Sequence, residues 1–147
     1  MNNLKPLQED LMSNDIMSYF ENDRFAALVG IKLVEVKPGY AKATMEITDK
    51  HLNAGNIVQG GALFTLADLA VAAAAYPYGQ VSLGVHASIS FFLSPKGKIL
   101  IAEAKEISAS KKIGNYNVDI FDEDENLIAR FTGIAYKKKD KIESDKG

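Results

Sequence analysis

The run Gly60-Gly61-Ala62-Leu63-Phe64-Thr65-Leu66-Ala67-Asp68-Leu69-Ala70-Val71-Ala72-Ala73-Ala74-Ala75-Tyr76 limits this chain more than any other segment. Apolar residues occupy every side of its helical wheel, so it predicts a helix buried nearly all round. One side chain in it ionises near neutral pH, Asp68. Aspartate is almost never fully buried without a partner, because taking an unpaired carboxylate out of water costs more than a small domain can spare. An acid at that place calls for a reason, and chemistry is the first candidate. A membrane span is a poor alternative. The run falls short of about 20 residues, carries Asp68 and opens on two glycines.

The elements around this helix are strands. Residues 7–20 predict an amphipathic helix with Leu7, Leu11, Ile16, Met17 and Phe20 on its apolar side, and 25–29 a short turn stopped by Gly30. Ile31, Leu33 and Glu35 alternate with Lys32 and Val34. Pro38-Gly39 turns the chain, and Ala41, Ala43, Met45 and Ile47 give a half-buried strand, so 31–47 predicts a hairpin. A polar loop, 48–58, feeds the helix. Strands follow at about 82–93, 98–109, 114–122 and 127–137, with Asp122-Glu123-Asp124-Glu125-Asn126 as a turn. The expected fold class is therefore α+β, with one long helix against an antiparallel sheet. No internal repeat or linker divides it, so 1–147 reads as one domain, with a helical extension at 1–24 and a charged tail at 138–147. One sheet cannot cover such a helix on every side. A second subunit, pairing by sheet edge or helix, is expected to complete the packing.

Composition removes several functional classes. Seventeen basic residues against nineteen acidic ones leave a net charge of −2, which gives no electrostatic footprint for nucleic acid. With no cysteine, disulfides, thiolate catalysis and cysteine metal sites are excluded, and two histidines are too few for a histidine-rich metal site; no metal and no organic cofactor is expected. No basic-then-apolar leader opens the chain, so the cytoplasm is the default compartment and no membrane partner is expected.

Helix geometry then constrains the site. The first N–H groups of a helix lack intrahelical partners and sit at the positive end of its dipole. Gly60 would let a ligand approach that end closely, and a carbonyl oxygen there would be stabilised as it gains charge. The plain alternative is that Gly60 and Gly61 only permit tight packing. Asp68 follows Gly60 by eight residues, which is about 12 Å along one helix axis. A single reacting carbonyl cannot touch both. If both serve one substrate, they come from two copies of the chain, with antiparallel helices across a dimer axis.

The residues His51, Asn53 and Gly55, then Gln59-Gly60-Gly61-Ala62-Leu63-Phe64, then Leu66-Ala67-Asp68, resemble the signature of hotdog-fold acyl-CoA thioesterases. Within them the stretch is similar to the phenylacetic acid degradation (PaaI-like) group. Ser94-Pro95 and the closing strand 127–136 share the resemblance, which spans about 25–137. It implies a hotdog fold, one long helix wrapped by a curved antiparallel sheet, and hydrolysis of an acyl-CoA substrate to free acid and coenzyme A. It implies that the acid at Asp68 attacks the thioester or activates water. The Gly60 N–H would polarise the carbonyl, and Asn53 would hold the nucleophile or water. Gly61, Gln59, His51 and Thr65 fall at substrate-binding positions, and the active unit would be a homodimer, in some members a dimer of dimers.

Two places depart from the pattern. Gln59 stands where the family usually has a histidine, so no proton can be exchanged there. Val85-His86-Ala87 replaces the usual Thr or Ser and Asp, although His86, Ser88 and Ser90 share a strand face. Lys111-Lys112 and Lys137 to Lys139 are the basic groups at hand for coenzyme A phosphates, or simply solvated charge. Two other readings stay open. A non-catalytic acyl-CoA-binding hotdog protein would usually lose the acid and carry a DNA-binding segment; this chain keeps Asp68, and its first thirty residues hold five acidic against two basic residues. A hotdog dehydratase acting on hydroxyacyl thioesters needs a His and acid pair in another motif, which is not found.

Overall fold

The structure is a computed structural model that describes residues 14–141. The first half of the expected 7–20 helix and residues 142–147 of the tail lie outside the described residues. Residues 14–20 are helical. Helix α1, Arg24–Val29, follows, capped by Asp23 Oδ1, which accepts from Ala26 N–H at 3.0 Å. It is stopped by Gly30 at φ 87°, where a side chain would be strained. Strands β1, Ile31–Lys37, and β2, Tyr40–Glu46, form the expected hairpin. A short 3₁₀ turn, Asp49–His51, leads to α2, Gly60–Ala75. Strands β3, Gln80–Phe91, β4, Ile99–Ala109, β5, Ile113–Phe121, and β6, Leu127–Lys141, complete the chain.

All six strands make one antiparallel sheet in the order β1-β2-β4-β5-β6-β3. Helix α2 carries the chain across the sheet's inner face, from β2 near one edge to β3 at the other. The period-two pattern explains the core. Ala41, Ala43 and Met45 of β2, Leu100, Ala102 and Ala104 of β4, and Tyr116, Val118 and Ile120 of β5 are all buried. The alanines leave room for the helix to come close, and Leu63, Leu66, Ala67, Ala70, Ala73 and Ala74 fill that room from above. At the far end of α2, Gly39 N–H donates to Ala74 C=O, and Tyr76 meets Tyr19 and Phe20 with ring centroids 4.6 and 5.6 Å apart. The helical extension is thereby fastened along α2.

Two expectations need correction. The sequence predicts a tail that leaves the sheet at 138, but β6 runs to Lys141, because the start of β3 offers it a pairing partner, Gln80 opposite Lys141. The sequence also predicts a helix buried nearly all round, but Gly61, Phe64, Asp68 and Ala72 form an exposed stripe along it. The cause is topological. The sheet ends at β3, whose outer edge has no partner among the described residues, and nothing described folds over the helix beyond it. The stretch Gly60–Tyr78 is long and apolar enough to cross a bilayer by composition, yet it is half buried against the sheet, as a core helix is.

Candidate active site

Asp68 projects from the open stripe of α2 into a recess of about 480 Å³ between that helix and the β3–β6 pair. Phe64, Val71, Val85, Ala87, Phe131 and Ile134 line it, with Gly84 and Gly133 at the strands. Phe64 lies one helical turn before Asp68, and its ring meets Phe131 edge-on at 5.1 Å. Neither ion pair of the described residues includes Asp68. Its carboxyl is exposed at the mouth of the recess, yet enough protein surrounds it that desolvation pushes its pKa up, and the Asp23 carboxylate adds to the rise. From sequence, hydrogen bonds from Asn53 or Thr65 could have pulled the value back. Among the described residues neither makes that bond: Thr65 Oγ1 donates within the helix, Asn53 Oδ1 holds its own loop, and burial prevails.

Thr65 Oγ1 donates to Gly61 C=O within the helix at 2.8 Å. Asn53 Oδ1 accepts from Gly55 N–H at 2.9 Å and Ile57 N–H at 3.2 Å, which closes the loop on itself. His51 is buried, and both its ring nitrogens meet backbone. Nδ1 accepts from Thr48 N–H at 2.9 Å, so Nε2 carries the proton and donates to Val29 C=O. His51 thus ties the loop before α2 to the end of α1, and its own C=O takes the Gln59 N–H at 2.8 Å.

Gln59 is the N-cap residue of α2 but supplies no side-chain cap, and its Oε1 lies over Gly61. No hydrogen bond among the described residues uses the N–H of Gly60 or Gly61. That helix end is therefore open to an acceptor. Gly60 also has a packing reason to be glycine, since a Cβ there would lie 2.8 Å from the Phe91 ring. Phe91 is a neighbour that the sequence reading missed. Its signal was position: it lies on the helix-facing side of β3, opposite Ala129.

The residues at the helix N-terminus and Asp68 do not meet within one chain. None of His51, Asn53, Gln59, Gly60 or Gly61 lines the Asp68 recess. His86 borders the recess at the bulge in β3 but makes no hydrogen bond to Asp68. Ser88 and Ser90 stand further off, paired with Thr132 and Arg130. Ser88 Oγ lies 3.3 Å from Thr132 Oγ1, which puts this row on the sheet face away from α2. Of the basic candidates, Lys137 is buried, donating to Ser110 C=O at 3.2 Å with its ammonium over the Tyr78 ring. A larger open groove, about 640 Å³, lies under the 48–51 segment beside β1 and β2, where Lys32 and Lys50 face Glu46 and Asp49 and the charges cancel. Among the described residues no three metal-ligating side chains converge.

A curved antiparallel sheet closed on one long helix, with an acid on that helix, is the architecture of hotdog-fold enzymes. Residues 55–129 match the family model of the Thioesterase superfamily. The acyl-coenzyme A thioesterase PaaI of Escherichia coli is 32% identical over 120 residues, covering 80% of this chain and 85% of that protein. The structure of E. coli PaaI superposes with a TM-score of 0.83 over 90% of this chain and 99% of that one, at 28% identity. A 1,4-dihydroxy-2-naphthoyl-CoA hydrolase of Listeria monocytogenes is 30% identical over 118 residues, covering 77% of this chain and 95% of that protein. The chain belongs to the Thioesterase superfamily, in its PaaI-like group, and is a thioester hydrolase.

Proposed function

We propose that this protein hydrolyses an acyl-CoA thioester at a site shared by two copies of the chain. Asp68 of one copy is the general base or nucleophile, and the Gly60 N–H of the other is the oxyanion donor. The observation that carries the reading is the Asp68 carboxylate, unpaired among the described residues, in an apolar recess on the face of α2 that those residues leave uncovered. A carboxyl whose pKa is raised is a stronger base than an ordinary aspartate, which suits it to take a proton from water near neutral pH. Water, or the carboxylate itself, adds to the thioester carbon. The carbonyl oxygen gains negative charge against the open N–H groups at the start of α2, and collapse expels the thiolate of coenzyme A. In the general-base route the proton taken by Asp68 then reaches that sulfur; in the nucleophilic route water hydrolyses the acyl–Asp68 anhydride, which frees the acid, restores the carboxylate and supplies the proton for the thiolate.

The subunit pairing is supported by the outer edge of β3, 12 residues long and unpaired among the described residues, with Leu83 and Val85 exposed along it. Asn53 keeps its amide N–H₂ for a water or nucleophile while its Oδ1 holds the loop. His51, Gln59, Gly61 and Thr65 shape the helix entrance against which the thioester would lie. The cytoplasm, where coenzyme A thioesters are made and used, is the compartment this substrate implies. The test is thiol release from acyl-CoA esters by the dimeric protein and by its Asp68→Asn variant. The variant is expected to lose activity and keep its oligomeric state; wild-type rates in it would end the reading.

A further inference from the structure

Gly84 is a glycine that the single chain does not explain. Gly30, Gly39, Gly79 and Gly97 have positive φ, and Gly39 and Gly97 also have side chains against them. Gly60 lies under Phe91, Gly114 under Tyr116, and Gly133 beside Phe131 and Val71. Gly55 and Gly61 have Asn53 and Gln59 close by. Gly84 alone among the described glycines has neither: its φ is ordinary, and a Cβ would meet nothing within 4 Å. A glycine inside a strand weakens it, so a β-branched residue would serve the strand better. The ladder slips between Gly84 and His86, but with φ outside the left-handed region that bulge accepts any residue.

What Gly84 does border is the Asp68 recess. The volume of about 480 Å³ lies in the range of small-molecule sites, roughly 300–1,000 Å³. Apart from Asp68 and His86 its walls are aliphatic and aromatic, and no Lys or Arg is among its lining residues. An acyl group with its own carboxylate would face Asp68 there with no permanent cation to balance it. On the catalytic reading the acyl part of the substrate lies in this recess; we propose that Gly84 sets the size of that acyl group by leaving open the room a side chain would fill, and that the group accepted is uncharged, apolar and larger than acetyl. This rests on the thioesterase reading for its substrate class.

Binding tests the proposal without turnover. In an Asp68→Asn background, calorimetry gives the dissociation constants of octanoyl-CoA and acetyl-CoA. Octanoyl-CoA is expected to bind more tightly. Gly84→Val is expected to cut that preference by about tenfold or more, the usual cost of removing room for several methylenes from an apolar pocket. Gly84→Ala should give a smaller shift in the same direction. A Cβ at Gly84 meets nothing within 4 Å among the described residues, so melting temperature is expected to hold. An unchanged preference in both variants overturns the proposal. So does equal weakening of both esters with loss of the dimer, which would mean that Gly84 serves the approach of a second copy. If Asp68→Asn still hydrolyses acyl-CoA while the Gly84 series behaves as expected, the catalytic reading fails and the acyl subsite stands.

Discussion

A shared site makes a quantitative prediction that a site within one chain does not. Gly60 and Asp68 are eight residues apart on α2, about 12 Å along its axis, and the recess of Asp68 excludes the start of its own helix. Consider Asp68→Asn and Gly60→Pro. Gly60 is the first residue of α2, where proline is welcome and its missing N–H breaks no intrahelical bond. Gln59, at φ −64° and ψ 137°, already has the extended conformation that a following proline demands. The new ring must displace Phe91, which is 53% exposed and has room to swing. Each variant alone is expected to lose about 10²-fold or more, the usual effect of deleting an oxyanion donor or a general base. In a mixed dimer, one site receives both substitutions and is dead. The other combines the intact Asp68 of the Gly60→Pro chain with the intact Gly60 of the Asp68→Asn chain and is whole. Random pairing of equal amounts makes half the dimers mixed, each with one working site, so about a quarter of wild-type activity should return. The assay is thiol release from the two variants refolded together, against each refolded alone. Recovery no greater than the sum of the separate variants would refute the shared site.

Asp68→Asn should also raise the melting temperature at neutral pH, since catalytic groups are commonly held at a cost in stability. The folded pKa of Asp68 lies above its unfolded value, so the wild type has its full stability below the unfolded pKa and loses part as pH rises through the folded pKa. The gain should therefore vanish in acid, and melting curves from acid to neutral pH that show wild type the more stable at pH 7 would contradict it. Asp122 should behave in the opposite way. Burial would raise its carboxyl, but hydrogen bonds from Lys96 N–H at 3.1 Å, from the Asn126 side chain and backbone, and from Asp124 N–H outweigh it and hold the pKa low. Asp122→Ala is expected to melt lower than wild type above the ordinary aspartate range, with the difference fading as pH falls through the lowered pKa; equal melting at neutral pH would refute the role.

Much of the fold was legible because short-range rules agree with the global arrangement. Strict alternation in Ala41, Ala43 and Met45 and in Tyr116, Val118 and Ile120 marks the strands, and Gly30 and Pro38-Gly39 mark the breaks. The turn at 122–126 was also visible, although not that Asp122 and Glu123 reach back to hold Lys96, Lys98 and Ile99. Strand order was less accessible. Nothing local in Gln80–Phe91 says that it pairs with β6 and leaves its other edge open, because pairing across the sheet is set by α2 crossing from one side to the other.

The same limit explains the site. A helical wheel counts Phe64, Ala72 and Leu66 alike as apolar, so the wheel of α2 has no polar side to declare which stripe is left uncovered. The structure separates them: Leu66 packs on the sheet, while Phe64 and Ala72 flank Asp68 in the open. An apolar stripe that the described residues leave unburied, interrupted by one acid, reads as a surface meant for something other than water. The sheet cannot reach it, and β3 ends beside it with an unpaired edge. A second copy joined at that edge would cover the stripe and close the recess over Asp68. Its own α2 would offer the free N–H groups that this chain cannot bring to its own acid. On the proposed reading, one geometric fact, that Gly60 and Asp68 lie too far apart on one helix to meet, links the missing burial, the open strand edge and the chemistry.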